Sequence, residues 1–212
     1  MKKEYILEIF KILEKIYNKK DELIELQYIN NYTLLVSVIL SAQATDTGVN
    51  KATKDLFKKV TTPEEMLELG EEKLKEYIKT INYYPTKARH IIAMSKKLVE
   101  NFNSKVPNNM EDLITLDGVG RKTANVVLNI AFNKPSIAVD THVFRVTNRL
   151  GIVNTKNVFD TEKQLFKIIP EKYVKYVNHY LVLFGRYNCK AKNPQCLGCV
   201  LQKYCSFFKG KK

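Results

Sequence analysis

Leu113-Ile114-Thr115-Leu116-Asp117-Gly118-Val119-Gly120-Arg121-Lys122-Thr123-Ala124-Asn125-Val126-Val127 is the stretch on which the fold turns. Asp-Gly is a frequent β-hairpin pair, so two paired strands are one reading of it. After the glycines, however, Val119, Thr123, Val126, Val127, Ile130 and Ala131 recur at helical spacing, which favours a helix, a short hairpin and a second helix. Gly118 and Gly120 permit backbone conformations that other residues resist, and they let the first amides of the second helix approach a phosphate closely. Such a turn grips a nucleic-acid backbone rather than a base. Taken alone, a Gly-x-Gly is equally a tight turn between two helices, so its surroundings must decide.

Outward on the C-terminal side, Ile137-Ala138-Val139-Asp140-Thr141-His142-Val143-Phe144-Arg145-Val146 sets Asp140 just before an apolar-periodic segment, the position of a helix N-cap. A cap engages one carboxylate oxygen and leaves the other for chemistry. On the N-terminal side, Met66, Leu67, Leu69, Leu74, Tyr77 and Ile78 recur at threes and fours, and Thr62-Pro63-Glu64-Glu65 reads as a helix start with proline in the first turn. Ile6, Ile9, Phe10, Leu13 and Ile16 make an amphipathic helix near Met1. With only 8 glycines and 6 prolines in 212 residues, the chain reads as all-α. No repeat or low-complexity linker is present, and Pro135 after Lys134 is the clearest break.

An apolar content of 45% and this length suit one large or two small domains with a true core. Lys and Arg number 35 against 22 Asp and Glu, a net charge of +13 that points to a polyanionic partner; a lysine-rich solvated surface is the plain alternative. Lys11, Glu14 and Lys15 interrupt any signal-peptide run, and the apolar stretch from Tyr32 to Ala42 is about half the ~20 residues a bilayer requires. A cytoplasmic protein without membrane association is expected.

Four cysteines, Cys189, Cys196, Cys199 and Cys205, fall within the last 24 residues with the spacing C-x6-C-x2-C-x5-C. In a reducing cytosol they read as metal ligands rather than disulfides. Spacing alone leaves zinc and an iron-sulfur cluster open, with zinc the commoner structural choice. Arg186, Lys190, Lys192, Lys203, Lys209, Lys211 and Lys212 surround them, and no acidic residue follows Gly185. His90, His142 and His179 form no ligand pattern and read as packing or surface residues.

The hairpin Leu116 to Ala124, then Val139-Asp140-Thr141-His142, then the four cysteines preceded by Gly185-Arg186-Tyr187-Asn188, resemble the endonuclease III family of helix-hairpin-helix DNA glycosylases. Leu40-Ser41-Ala42-Gln43-Ala44-Thr45-Asp46 extends the resemblance collinearly over nearly the whole chain. It implies a two-lobed all-α fold: a six-helix barrel lobe at 24–134 with the helix-hairpin-helix, and an iron-sulfur lobe made of 1–23 and 135–212. It implies a bifunctional DNA glycosylase and AP lyase, acting on double-stranded DNA with damaged (oxidised) pyrimidines or abasic sites; no dimer motif appears, so a monomer is expected. In that family the hairpin lysine, here Lys122, attacks the sugar C1′ of a flipped nucleotide, and the aspartate, here Asp140, assists. Gly118, Val119, Gly120, Arg121 and Thr123 would meet DNA, Gln43 would fill the gap left by the flipped base, and the cysteines would hold one 4Fe-4S cluster.

Two departures stand out. Asp117 occupies a hairpin position where the family commonly has proline, adding negative charge beside a phosphate-binding turn. Tyr83, within Ile81-Asn82-Tyr83-Tyr84, stands where a leucine wedge is usual, and an aromatic can stack as well as wedge. Related adenine-removing glycosylases lack a lysine at position 122, so Lys122 argues for lyase chemistry. A monofunctional glycosylase for mispaired or other damaged bases, and a non-catalytic iron-sulfur DNA-binding protein, are the competing readings; Lys122 and Asp140 disfavour the second.

Overall fold

Capping residues and glycines set the helix boundaries in the computed structural model, which describes residues 1–17 and 23–210. In chain order the helices are α1 (Lys3–Tyr17), α2 (Asn31–Ser41), α3 (Asp46–Leu56), α4 (Pro63–Leu69), α5 (Glu71–Ile78), α6 (Tyr84–Phe102), α7 (Met110–Leu113), α8 (Arg121–Phe132), α9 (Thr141–Leu150), α10 (Val158–Ile168), α11 (Glu171–Val174), α12 (Val177–Tyr187) and α13 (Ser206–Lys209). No strand occurs among the described residues. Thr62 and Glu65 form a capping box around Pro63 at the start of α4. The periodic run from Met66 to Ile78 is two helices rather than one, because Gly70 adopts φ +78° between α4 and α5.

The chain divides into two compact units, Ile24–Asn133 on one side and Met1–Leu23 with Lys134–Lys212 on the other. The first unit contains α2 to α8, of which α7 is a single turn of four residues. Its centre is α2, whose residues Tyr32 to Leu40 are all buried, packed against α3, α6 and α8. The apolar stretch that the sequence displays there is therefore the core helix of a globular unit. No helix among the described residues is long and apolar enough to cross a membrane.

The second unit is built on α9 against α12, with α1 packed on α12. Ile9, Phe10 and Leu13 of α1 are completely buried, and Phe10 stacks on Tyr173 with ring centroids 5.3 Å apart. Each such burial contributes about 1.5–3 kcal/mol, whereas an exposed pair such as Lys11–Glu8 is worth about 0–1 kcal/mol, so apolar packing holds α1 in place. Ile16, expected on the apolar face, is 47% exposed near the end of the helix. Lys211 and Lys212 of the basic C-terminal cluster lie outside the described residues.

Candidate active site and cluster loop

The hairpin forms as helix, turn, helix. The chain leaves α7, Leu116 O accepts the Val119 amide at 3.1 Å, and Gly118 sits at φ +77°. Gly120 then opens α8 in an extended conformation, φ −88° and ψ 174°, and as a glycine it supplies no side-chain cap. Helices α2, α3, α4, α7, α9 and α10 each have an N-cap side chain accepting a backbone N–H. The start of α8, like those of α5, α6, α11, α12 and α13, lacks that internal acceptor, and with the exposed Gly118 and Gly120 before it, its positive end is suited to an external anion.

Arg121 and Lys122 are exposed on the first turn of α8, and Thr123 is half-buried. Gly118 and Gly120 are exposed at the turn, as is Asp117. Val119 is only 6% exposed, so its side chain anchors the hairpin and just its backbone can face a ligand. A Cβ on Gly118 would lie 3.0 Å from the His90 Cβ, whereas one on Gly120 would meet nothing within 4 Å. His90 thus buttresses the turn through packing.

In the same unit, Gln43 and Tyr83 stand on two neighbouring turns. Gln43 follows α2 at φ 55°, and Tyr83 precedes α6 at φ 59° with 65% of its surface exposed. The Asn82 side-chain amide donates to the Gln43 carbonyl at 2.9 Å and so ties one turn to the other.

Asp140 lies in the other unit as the N-cap of α9. Its Oδ1 accepts from the amides of His142 at 2.9 Å and Val143 at 2.8 Å. The second oxygen is not left open as the sequence suggested: Oδ2 is 3.3 Å from the His142 Nδ1. Both side chains keep solvent contact, 25% for Asp140 and 31% for His142. The sequence reading named His142 in Val139-Asp140-Thr141-His142 but took it as a packing or surface residue; the Asp-x-His spacing across a helix start was the signal for its contact with Asp140.

Two arginines on α9 also escaped the sequence reading. Arg145 donates from Nε to the Cys189 carbonyl at 3.1 Å and from Nη2 to that of Gly185 at 3.0 Å. Arg149 donates to the carbonyls of Lys190 at 2.7 Å and Ala191 at 3.0 Å, and its Nη1 is 3.6 Å from the Cys189 sulfur. Their spacing of one helical turn was legible, but the backbone they hold is about forty residues away in sequence, beyond any local pattern.

The four cysteines are free and half-buried, and together they line one cavity closed by apolar groups including Leu150, Phe184 and Phe207. Burial pushes the thiols of Cys199 and Cys205 up, so an electropositive centre is needed to hold them as thiolates. Among the described residues no three Cys, His, Asp or Glu side chains are placed to hold a single metal ion. Four sulfurs around a shared apolar cavity suit a multi-iron cluster better than one zinc ion.

Residues 36–171 match the model of the HhH-GPD superfamily of base excision DNA repair proteins, and residues 189–205 match the iron-sulfur binding domain of endonuclease III. Endonuclease III of Rickettsia prowazekii (strain Madrid E) is 50% identical over 208 residues, 98% of this chain and 97% of that protein. Endonuclease III of Escherichia coli (strain K12) is 49% identical over 183 residues, covering 86% and 87%. The chain belongs to the endonuclease III family.

It is accordingly a DNA glycosylase and AP lyase of base excision repair, and it carries a 4Fe-4S cluster. The structure of a trapped endonuclease III–DNA covalent intermediate, an estranged-adenine complex, superposes with a TM-score of 0.92 at 42% identity, covering 100% of this chain and 99% of that one. A thermostable thymine-DNA glycosylase is similar in fold, with a TM-score of 0.86 at 22% identity and 98% coverage of both chains.

Proposed function

We propose that Lys122 is the nucleophile of this endonuclease III family member, that Asp140 assists it, and that the substrates are oxidised pyrimidines and abasic sites in double-stranded DNA. The observation that carries this reading is an exposed lysine on the first turn of a helix whose start lacks a capping side chain. A phosphate held there would bring the sugar beside it within reach of the amine.

The flipped base leaves as the Lys122 amine bonds to C1′, and the sugar opens as a Schiff base forms between Nζ and C1′. The imine acidifies the C2′ proton; its removal expels the 3′ phosphate by β-elimination, and hydrolysis of the imine returns the amine. Only the neutral amine has a lone pair to attack C1′, so the nucleophile needs a proton acceptor. Asp140 takes that role and stabilises positive charge developing on the sugar. A covalent endonuclease III–DNA intermediate, trapped in the relative of the same fold, supports the covalent route.

Gly118, Gly120, Arg121, Thr123 and the Val119 backbone bind the DNA strand, while Gln43 and Tyr83 occupy the gap left by the flipped nucleotide. Cys189, Cys196, Cys199 and Cys205 ligate the cluster, which orders a basic loop that meets phosphates. The protein acts as a monomer in the cytoplasm, on the nucleoid.

Borohydride trapping on a duplex with one abasic site tests the proposal. Wild-type protein forms a covalent adduct, and Lys122→Ala, checked for cluster content and DNA binding, forms none. An adduct that persists in Lys122→Ala moves the nucleophile elsewhere. Absence of any adduct from cluster-loaded wild type leaves a glycosylase that releases the base without cutting the strand.

A further inference from the structure

Lys87 is a buried lysine, 6% exposed, on the second turn of α6. Its ammonium rests on backbone carbonyls, donating to Leu40 O at 2.8 Å and Ala42 O at 2.6 Å, at the C-terminal end of α2. That end carries the negative pole of the helix dipole, so a cation there is electrostatically matched to it. Burial lowers the lysine pKa, the mark of a charge taken out of water. An apolar side chain would fill the space without this cost, so the ammonium is kept for what it holds.

What it holds is the chain just before Gln43. The carbonyl of Ala42 is taken by Lys87 and the next carbonyl, that of Gln43, by Asn82. Both donors come from the segment that carries Tyr83, and the Lys87 amide donates to the Tyr83 carbonyl at 3.0 Å. Gln43 and Tyr83 both adopt left-handed backbone conformations, unfavourable for residues with a Cβ, and such conformations persist only where the surroundings impose them.

We infer that Lys87 and Asn82 are positioning residues that join the Gln43 and Tyr83 turns into one rigid probe, so that the two side chains enter the DNA stack as a unit. The inference rests on the proposed role of Gln43 and Tyr83 in filling the gap left by the flipped nucleotide. Neither positioning residue touches the reacting sugar. Their effect falls on extrusion of a paired base, which an abasic site does not require.

The test uses full-length, cluster-loaded protein and two duplexes, one with a thymine glycol paired in the stack and one with an abasic site. Single-turnover excision on the first is divided by the borohydride trapping rate on the second. Tyr83→Ala and Gln43→Ala are measured first; if neither lowers the ratio, the gap-filling role fails and the inference with it. If they lower it, Asn82→Ala, an exposed position whose loss spares the core, lowers it by about 10-fold, and Asn82→Ala combined with Tyr83→Ala is no worse than Tyr83→Ala alone. Lys87→Gln lowers the ratio in the same way, and Lys87→Arg restores part of it. A ratio unchanged in Asn82→Ala, or losses that multiply in the double variant, overturns the coupling while leaving the gap-filling role intact.

Discussion

Gly118 and Gly120 are two residues apart and do different work. Gly118, at φ +77° and against His90, is required by the fold of the turn itself. Gly118→Ala is expected to destabilise the protein by about 1–2 kcal/mol, since a Cβ in the left-handed region is strained before any clash is counted. Gly120 is extended, and a Cβ there meets no protein atom. Gly120→Ala is therefore expected to leave the urea midpoint near that of wild type while weakening binding to duplex DNA by about 10-fold, or roughly 1.4 kcal/mol. Equal loss of stability in the two variants would show that both glycines serve only the turn. The sequence displayed both glycines as equivalent; their difference depends on His90, about thirty residues upstream, and on a backbone angle that no residue type specifies.

At the scale of the element, α9 carries three tasks along ten residues: Asp140 caps its start, and Arg145 and Arg149 hold the chain around Cys189. Capping by Asp140 and its proposed catalytic role can be separated, because asparagine caps as well as aspartate but cannot accept a proton. Asp140→Asn is expected to retain thermal stability and lose single-turnover excision, whereas Asp140→Ala loses excision and about 1 kcal/mol of stability as well. Near-normal excision by a folded Asp140→Asn protein would reduce the residue to a cap. The capping box at Thr62 and the apolar face of α1 were legible because their signals lie within one or two turns. The break at Gly70 falls in the non-apolar stretch Gly70 to Lys73 between Leu69 and Leu74, while the His142 contact was hidden by a spacing that carries no ligand pattern.

At the scale of the whole molecule, two predictions concern pH and salt. Burial pushes Tyr173 and Tyr180 up to about 12, and the Tyr173 hydroxyl also donates to Glu14 at 2.7 Å. In the unfolded chain a tyrosine titrates near 10, so above that pH the unfolded state sheds protons that the folded state retains. Their contribution to stability is thus complete below about pH 10 and is lost as the pH rises toward about 12. Urea unfolding at increasing alkaline pH should show a smaller loss in Tyr173→Phe than in wild type; parallel curves would mean that other groups govern alkaline unfolding. The charge of +13 predicts binding to DNA that weakens linearly on a log–log salt plot. Neutralising about four phosphates corresponds to roughly a 150-fold loss for about a fourfold rise in salt. A flat plot would assign the charge to solubility alone.

The sequence by itself determined the all-helical character, the helix-hairpin-helix, the capping position of Asp140 and the cysteine spacing, because each is written in residues a few positions apart. Periodicity, caps and ligand spacing are local properties of a chain. The tertiary structure alone decided that Lys87 and Asn82 bind successive carbonyls about forty residues upstream, that His142 faces Asp140 Oδ2, and that Arg149 holds the chain beside Cys189. Those contacts depend on packing that brings distant segments within hydrogen-bond range, and on buried polar groups taking whichever partners the packing supplies.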